Sequence, residues 1–260
     1  MCRQHHNHKE RRGSMKKVYF IPIAGRMGAG KTTFAREMAG YFKQFSDIVP
    51  HVYSYADTLR RELVEAGLAS SVEQLQDQEY KMKRLSDLER YIVIPNDFPK
   101  DIDKSTTVRQ FMQWWGTEYR RAQNPFYWIN AMQRIIENDL LLSDPTYSHA
   151  FICDDVRFPN ELELFTAMAR EHTYGKKVGI YLHHWKYTQY GNTDQYTGYL
   201  KPKSLLGGHP SEDEHPSEFL LDLPTNCYDH VWTCVYAPSF GRIPPYAMMA
   251  FDYIMKDYNE

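Results

Sequence analysis

The residues VYFIPIAGRMGAGKTTFAREMAGYFKQF, numbers 18–45, carry the strongest structural signal in the chain. The first eight are almost continuously apolar and rich in strand-forming residues, as expected for a strand buried on both faces of a parallel sheet. Residues 31–45 carry aromatic side chains at helical spacing, which predicts an amphipathic helix. The turn between them, Gly25-Arg-Met-Gly-Ala-Gly30-Lys31-Thr32, matches the phosphate-loop pattern G-x-x-x-x-G-K-[ST] in full.

This pattern has a mechanical cause. Glycines let the backbone wrap around phosphate groups with its N–H groups pointing inward, and the helix that follows adds its positive end. Lys31 would supply a positive charge to the β- and γ-phosphates, and the Thr32 hydroxyl would be a ligand to Mg²⁺. A chance match is expected in only about one chain in a hundred of this length, given ordinary glycine usage. The predicted phosphate-binding residues are Gly28, Ala29, Gly30, Lys31, Thr32 and Thr33.

Composition excludes several classes of protein. Aromatic residues make up 15% of the 260 residues, whereas disordered chains are aromatic-poor. No apolar run approaches the roughly 20 residues that a membrane-spanning helix needs. The 4 cysteines include no C-x-x-C pair, so neither a zinc ribbon nor a disulfide framework is predicted, and free thiols in a reducing cytoplasm are the simpler interpretation.

Charge is distributed unevenly along the chain. The net charge is −2, but residues 1–17 hold six basic residues and one acidic residue, so the remaining 243 residues carry −7. We expect residues 1–16 to be a disordered basic tail, and residues 17–260 to form a single domain. An acidic domain argues against a motor or helicase that moves along nucleic acid. The predicted partners are small molecules, and a homodimer is left open.

Beyond the first helix, apolar runs continue to alternate with helical patterns. This alternation predicts an α/β fold with a central parallel sheet of about five strands flanked by helices. Residues 92–105 and 185–216 show no clear period, and a loop of the second length is usually functional or mobile. The predicted strands are 51–56, 150–153, 178–184 and 228–236. The predicted helices are 57–66 capped by Asp57, 72–91, 107–121 capped by Thr107, 125–142 opened by Pro125, 159–171, and 245–258 opened by Pro245.

A phosphate loop identifies a nucleotide donor site but not what receives the phosphoryl group. A GTPase would need the guanine-reading sequence N-K-x-D, which is absent, and a motor or helicase would need a longer chain. A kinase of a small acceptor fits the length. Two aspartates, Asp154 and Asp155, end a predicted buried strand, at the sheet edge where ligands bind. One of them would hold Mg²⁺ through water, and Arg157 would grip an acceptor phosphate bidentately.

Three further segments look functional. They are Val108-Arg109-Gln-Phe-Met-Gln-Trp-Trp-Gly116-Thr-Glu118 with the downstream pair Tyr127-Trp128, then Asp155-Val-Arg157-Phe-Pro-Asn-Glu161, and His-Pro-Ser-Glu, which occurs at both 209–212 and 215–218. In this order, together with the phosphate loop, they resemble the bacteriophage deoxynucleoside monophosphate kinases. The resemblance extends from Lys17 to about Val235. The segment 186–208 has no counterpart that can be placed.

The resemblance implies a phosphate-loop kinase fold with a mobile lid. It also implies transfer of the ATP γ-phosphoryl group to a deoxynucleoside 5′-monophosphate (dNMP), with Mg²⁺, in the cytoplasm of a phage host. Lys31, Arg109 and Arg157 would be catalytic. The implied dNMP-binding residues are Arg109, Gly116, Trp128, Asp155, Arg157 and Glu161.

Several alternatives remain at this stage. Arg157 could instead form a structural ion pair with Asp155 or Glu161. Trp128 could stack on a base or lie in the core, whereas Trp114 and Trp115 fit the core better. Arg120 and Arg121 fit a solvated helix face, although one of them could reach the transferred phosphoryl group. The function itself could be phosphorylation of another small phosphorylated metabolite, or non-catalytic ATP binding by a regulatory protein. A lid drawn from 92–105 or 186–208 would keep water out during transfer.

Overall fold

A computed structural model describes residues 16–25, 29–88, 105–186, 230–236 and 246–260, except the side chains of 183–186 and 230–236. Six parallel strands form one sheet: β1 (Val18–Gly25), β2 (Ile48–Tyr53), β3 (Ser148–Val156), β4 (Gly175–Lys177), β5 (Ile180–Lys186) and β6 (His230–Tyr236). The helices are α1 (Lys31–Phe45), α2 (Tyr55–Glu65), α3 (Val72–Gln76), α4 (Gln78–Met82), α5 (Val108–Trp114), α6 (Tyr127–Leu142), α7 (Pro159–Glu171) and α8 (Tyr246–Asn259). The predicted α/β fold with a parallel sheet flanked by helices is confirmed.

The sheet order is β2-β3-β1-β5-β6, and the short β4 also pairs with β1, just before β5 does. β1 therefore lies in the middle, which explains why its sequence is apolar on both faces. Tyr19, Ile21 and Ile23 belong to the core beneath α1 and α8. Val18 and Phe20 belong to the opposite core, beneath α2, α5, α6 and α7.

The position of the ligand crevice follows from the connections. The helix that follows β1, α1, covers one face of the sheet, and the helix that follows β3, α7, covers the other. Neighbouring parallel strands whose helices leave to opposite faces open a crevice at their carboxyl ends, and this is where open α/β sheets bind ligands. The end of β1, the start of α1 and the residues 154–157 at the end of β3 therefore lie at this crevice.

Several predicted boundaries were wrong. β2 spans 48–53 rather than 51–56, and α2 begins at Tyr55 with Ser54 as its N-terminal flanking residue, so Asp57 is not its cap. The charged segment 72–91 is not one helix. Ser71 caps the start of α3, and Asp77 lies between α3 and α4 and caps the start of α4 with its side chain. A 3₁₀ turn follows at 85–87.

The segment capped by Thr107 is helical through Arg121 as predicted, with the expected cap completed by Gln110. Its second half, Trp115–Arg121, is nevertheless a π-helical turn. The next helix starts at Tyr127 rather than at Pro125, and the strand predicted at 150–153 is longer, running from Ser148 to Val156.

Candidate functional site

The loop after β1 begins at a position that only glycine can occupy. Gly25 has a φ of +142°, and a Cβ atom there would lie 2.4 Å from the carbonyl oxygen of Leu182 on β5. At the other end of the loop, Gly30 adopts the left-handed conformation with φ 81°. Both glycines of the sequence pattern therefore have a backbone reason. Gly28, one of the predicted phosphate-binding residues, lies outside the described residues.

Lys31 is the first residue of α1 and is buried, although it is charged. Its Nζ donates a hydrogen bond of 2.6 Å to the carbonyl oxygen of Gly25, so the ammonium group lies against the end of β1. Thr32 and Thr33 follow it in the exposed first turn of the helix. The α1 N-terminus, a lysine charge and two hydroxyl groups thus meet at one end of β1, which is the arrangement that binds phosphate at helix N-termini.

Asp154 lies at the carboxyl end of β3 and faces this loop. Burial, followed by the neighbouring charge of Asp155, raises the pKa of its carboxyl to about 6, while hydrogen bonds with Thr32 and Ser54 act in the opposite direction. Its Oδ1 atom is buried and has no hydrogen-bond partner among the described residues. A hydroxyl beside a carboxylate with an open oxygen is a donor set that Mg²⁺ accepts. Of the two aspartates, Asp154 is therefore the one that could hold a metal ion.

Asp155, the next residue, does something different. Its two carboxylate oxygens accept hydrogen bonds from the backbone N–H groups of Tyr55 (2.7 Å) and Ala56 (2.9 Å), the first residues of α2. Asp155 is itself buried, so these two charge-assisted hydrogen bonds are shielded from water. Asp155 thus caps a helix that is far away in sequence, and it fixes where α2 begins relative to β3.

A pocket opens beside this cap, enclosed by α2, α4, α5, the π-helical turn, α6 and the start of α7. Its volume is about 180 Å³. Every residue that the resemblance implies for dNMP binding lies on its wall, namely Arg109, Gly116, Trp128, Asp155, Arg157 and Glu161. These residues come from three separate segments of sequence, and the fold brings them to one cavity.

Basic residues outnumber acidic ones in this pocket. Five basic side chains line it, Arg60, Lys81, Arg109, Arg121 and Arg157, against two carboxylates, Asp155 and Glu161. The pKa of Lys81 is lowered by burial, and also by the positive charges of Arg60, Arg109 and Arg157. Since like charges lower a lysine pKa only when they are close, these four side chains form one cationic cluster, which is suited to an anionic group.

Both carboxylates of the pocket are already engaged. Glu161 accepts hydrogen bonds from the backbone N–H groups of Arg157 (2.7 Å) and Phe158 (3.1 Å) and forms an ion pair with Arg121. Burial raises the pKa of Glu161 to about 7, against the opposing effects of Arg121 and these backbone donors. Glu161 therefore fixes the turn that carries Arg157.

The two consecutive arginines have separate roles. Arg120 is held by Glu62 on α2 and lies over the rings of Trp115, Tyr119 and Tyr127 at 5.0–5.3 Å. Arg121 lines the pocket, and its guanidinium lies 3.7 Å from the centre of the Phe158 ring. In a continuous α-helix, position 121 would be rotated by about 120° from position 109. The π-helical turn winds more slowly and brings Arg121 back to the pocket face.

The tryptophans lie mainly in the core. Trp115 is buried and bonds Glu62 through its indole N–H, and Trp114 packs against the same core. Trp128 is also buried, with its indole N–H donating to the carbonyl oxygen of Gly116 at 2.8 Å. One part of it still reaches the pocket wall.

Sequence reasoning missed Arg60, Lys81 and Tyr55 as pocket residues. Lys81 belongs to the predicted helix 72–91, and in isolation the pattern of this segment contains nothing that indicates a site. For Arg60, the only signal in the sequence was a basic residue near the start of a predicted helix. The predicted lid segments 92–105 and 186–208, both His-Pro-Ser-Glu copies and the tail 1–16 fall almost entirely outside the described residues.

Comparison with known protein families and with curated protein sequences gives no match for this chain. In the part of the chain that the structure describes, no helix combines the length and apolarity needed to cross a bilayer. The same residues contain no group of three or more His, Cys, Asp or Glu side chains arranged to hold a metal ion on their own. The site therefore has to be interpreted from its own geometry.

Proposed function

We propose that this protein is a phosphate-loop kinase that transfers the γ-phosphoryl group of ATP to the phosphate of a deoxynucleoside 5′-monophosphate. One observation carries the proposal. The implied acceptor residues line a single cation-rich pocket at the carboxyl end of the parallel sheet, next to the strand end that carries Asp154. A pocket for a monophosphate beside a phosphate loop is what transfer between two nucleotides requires.

The donor side would be formed by the loop 25–32. The α1 N-terminus and Lys31 would bind the ATP phosphates, and Thr32 and Asp154 would hold Mg²⁺. Mg²⁺ would neutralise charge on the phosphates when bound. The hydrogen bond from Lys31 to Gly25 would be exchanged for bonds to phosphate oxygens, so the lysine is already held near its working position.

The acceptor side needs no general base. A phosphate monoester has a second pKa near 6, so its attacking oxygen is already anionic at neutral pH. The protein has to bring two polyanions together and neutralise the charge that they share. Arg109 and Arg157, with Lys81 and Arg60 beside them, would supply that positive charge.

The test is release of ADP from Mg-ATP, measured in a coupled assay with each common dNMP and NMP as acceptor. We expect acceptor-dependent ADP release with at least one dNMP. Lys31→Ala should lower this rate by orders of magnitude without unfolding the protein, whereas Lys43→Ala, at the exposed end of the same helix, should leave it unchanged. ATP binding without any acceptor-dependent turnover would overturn the proposal, as would activity restricted to a phosphorylated metabolite that is not a nucleotide.

A further inference from the structure

We infer that the Tyr55 hydroxyl is a substrate-binding group that hydrogen-bonds the nucleoside part of the acceptor, that is, its base or sugar rather than its phosphate. The inference rests on the proposed function and names a contact that the sequence motifs do not contain. Tyr55 is the first residue of α2, and its side chain lines the pocket.

The hydroxyl group of Tyr55 lacks a partner. The residue is 6% exposed, and no described residue hydrogen-bonds its phenolic oxygen. A buried hydroxyl without a partner is costly, because it has lost its bonds to water and gained none in the protein. A buried polar group of this kind in a native structure calls for an explanation, such as a catalytic role or a bound water or ion, and Tyr55 is one of the residues that line the cavity.

The groups around Tyr55 explain why neighbouring side chains do not satisfy it. Asp155 uses its two oxygens on the backbone N–H groups of Tyr55 and Ala56. Glu161 uses its oxygens on Arg121 and on two further backbone N–H groups. Neither carboxylate is hydrogen-bonded to the phenol, so the phenolic proton is available to a group that enters the pocket.

Charge indicates which part of the nucleotide this is. The negative charges that act most strongly on the Tyr55 phenol include those of Glu161 and Asp155. The charge of Arg121, which pairs with Glu161, opposes them at the phenol. The phosphate of the acceptor has the cluster of Lys81, Arg60, Arg109 and Arg157 to bind. This leaves the phenol for a carbonyl, a ring nitrogen or a sugar oxygen of the nucleoside part.

The experiment compares Tyr55→Phe with Tyr53→Phe. Each change removes one oxygen atom, but Tyr53 donates a hydrogen bond of 2.6 Å to Asp139 and does not line the pocket. Tyr55→Phe should keep a melting temperature no lower than wild type and raise KM for the acceptor by about three- to tenfold, the effect of one hydrogen bond. Its KM for ATP should not change. Tyr53→Phe should do the opposite, lowering the melting temperature and leaving KM for the acceptor unchanged.

The panel of acceptors then shows whether the phenol hydrogen-bonds the base or the sugar. A rise in KM for some bases only identifies the base as the partner, and an equal rise for all dNMPs identifies the sugar. An unchanged KM in Tyr55→Phe, with the wild-type enzyme active, would overturn the inference and leave the proposed function standing. A wild-type protein that neither phosphorylates nor binds any monophosphate, as measured by thermal shift, would overturn both.

Discussion

Arg157 illustrates how much one residue can decide. Its backbone N–H is bonded to Glu161, its side chain lines the pocket, and its charge acts on Lys81. Glu161 forms its ion pair with the side chain of Arg121. A guanidinium at this place offers a planar pair of donors to a phosphate, which a lysine matches in charge but not in geometry.

We therefore expect Arg157→Lys to lower kcat/KM for the dNMP by about thirty- to a hundredfold, equivalent to about 2–3 kcal/mol, with little change in KM for ATP. Steady-state kinetics and a thermal melt on the same variant provide the measurement. Arg134→Lys, at an exposed position on α6, is the matched control and should behave as wild type. A lower melting temperature with unchanged dNMP kinetics would mean that Arg157 is structural.

At the scale of elements, helix α2 depends on a residue that lies 100 positions away. Its own flanking residue Ser54 makes no side-chain cap bond, and the first two N–H groups are bonded by Asp155 instead. The same helix supplies Tyr55, Ala56, Leu59 and Arg60 to the pocket. The cap therefore couples the end of β3 to one wall of the pocket.

We expect Asp155→Ala to lower the free energy of unfolding by about 2–3 kcal/mol, because two buried N–H groups lose a charged partner. KM for the acceptor should rise as well, since α2 loses its anchor. Urea unfolding at pH 7 measures the first effect. Ser71→Ala is the control: it removes an ordinary cap from α3, which contributes nothing to the pocket, and should cost about 1 kcal/mol with unchanged kinetics. Equal losses in both variants would show that Asp155 is an ordinary cap.

At the scale of the whole molecule, Asp257 on the last helix ties α8 to the start of the sheet. Its carboxylate accepts a hydrogen bond from the Tyr19 hydroxyl (3.0 Å) and pairs with Lys17 and Lys176. Burial alone would raise the pKa of Asp257, but the bonds from Lys176 and Tyr19 and the charges of Lys176 and Lys17 outweigh it and hold that pKa below its ordinary value.

A depressed pKa in the folded state means that the carboxylate stabilises the fold above the pKa of the unfolded chain, near 4, and that this contribution is lost as the pH falls. We expect Asp257→Asn to lower the free energy of unfolding by about 1–2 kcal/mol at pH 7, with the difference from wild type shrinking below pH 4. Urea unfolding over a pH series measures it, with the exposed Asp252→Asn as control. A difference that is constant with pH would contradict the role of the charge.

The sequence alone determined the central part of this protein. The segment 18–45 predicted β1, the turn and α1 with their observed ends, because continuous apolarity, glycine and helical spacing are properties of neighbouring residues. The same holds for α7 at 159–171 and for the Thr107 cap. The residues proposed to bind the dNMP came from the family resemblance, and all of them line one pocket.

Only the tertiary structure decided how the remaining side chains are used. Adjacent aspartates, Asp154 and Asp155, look alike in sequence, yet one lies beside Thr32 and the other caps α2, because successive residues of a strand point to opposite sides. Lys81 joins the cationic cluster although its own segment looks solvated. Such roles depend on contacts between residues far apart in the chain, and local spacing carries no information about them.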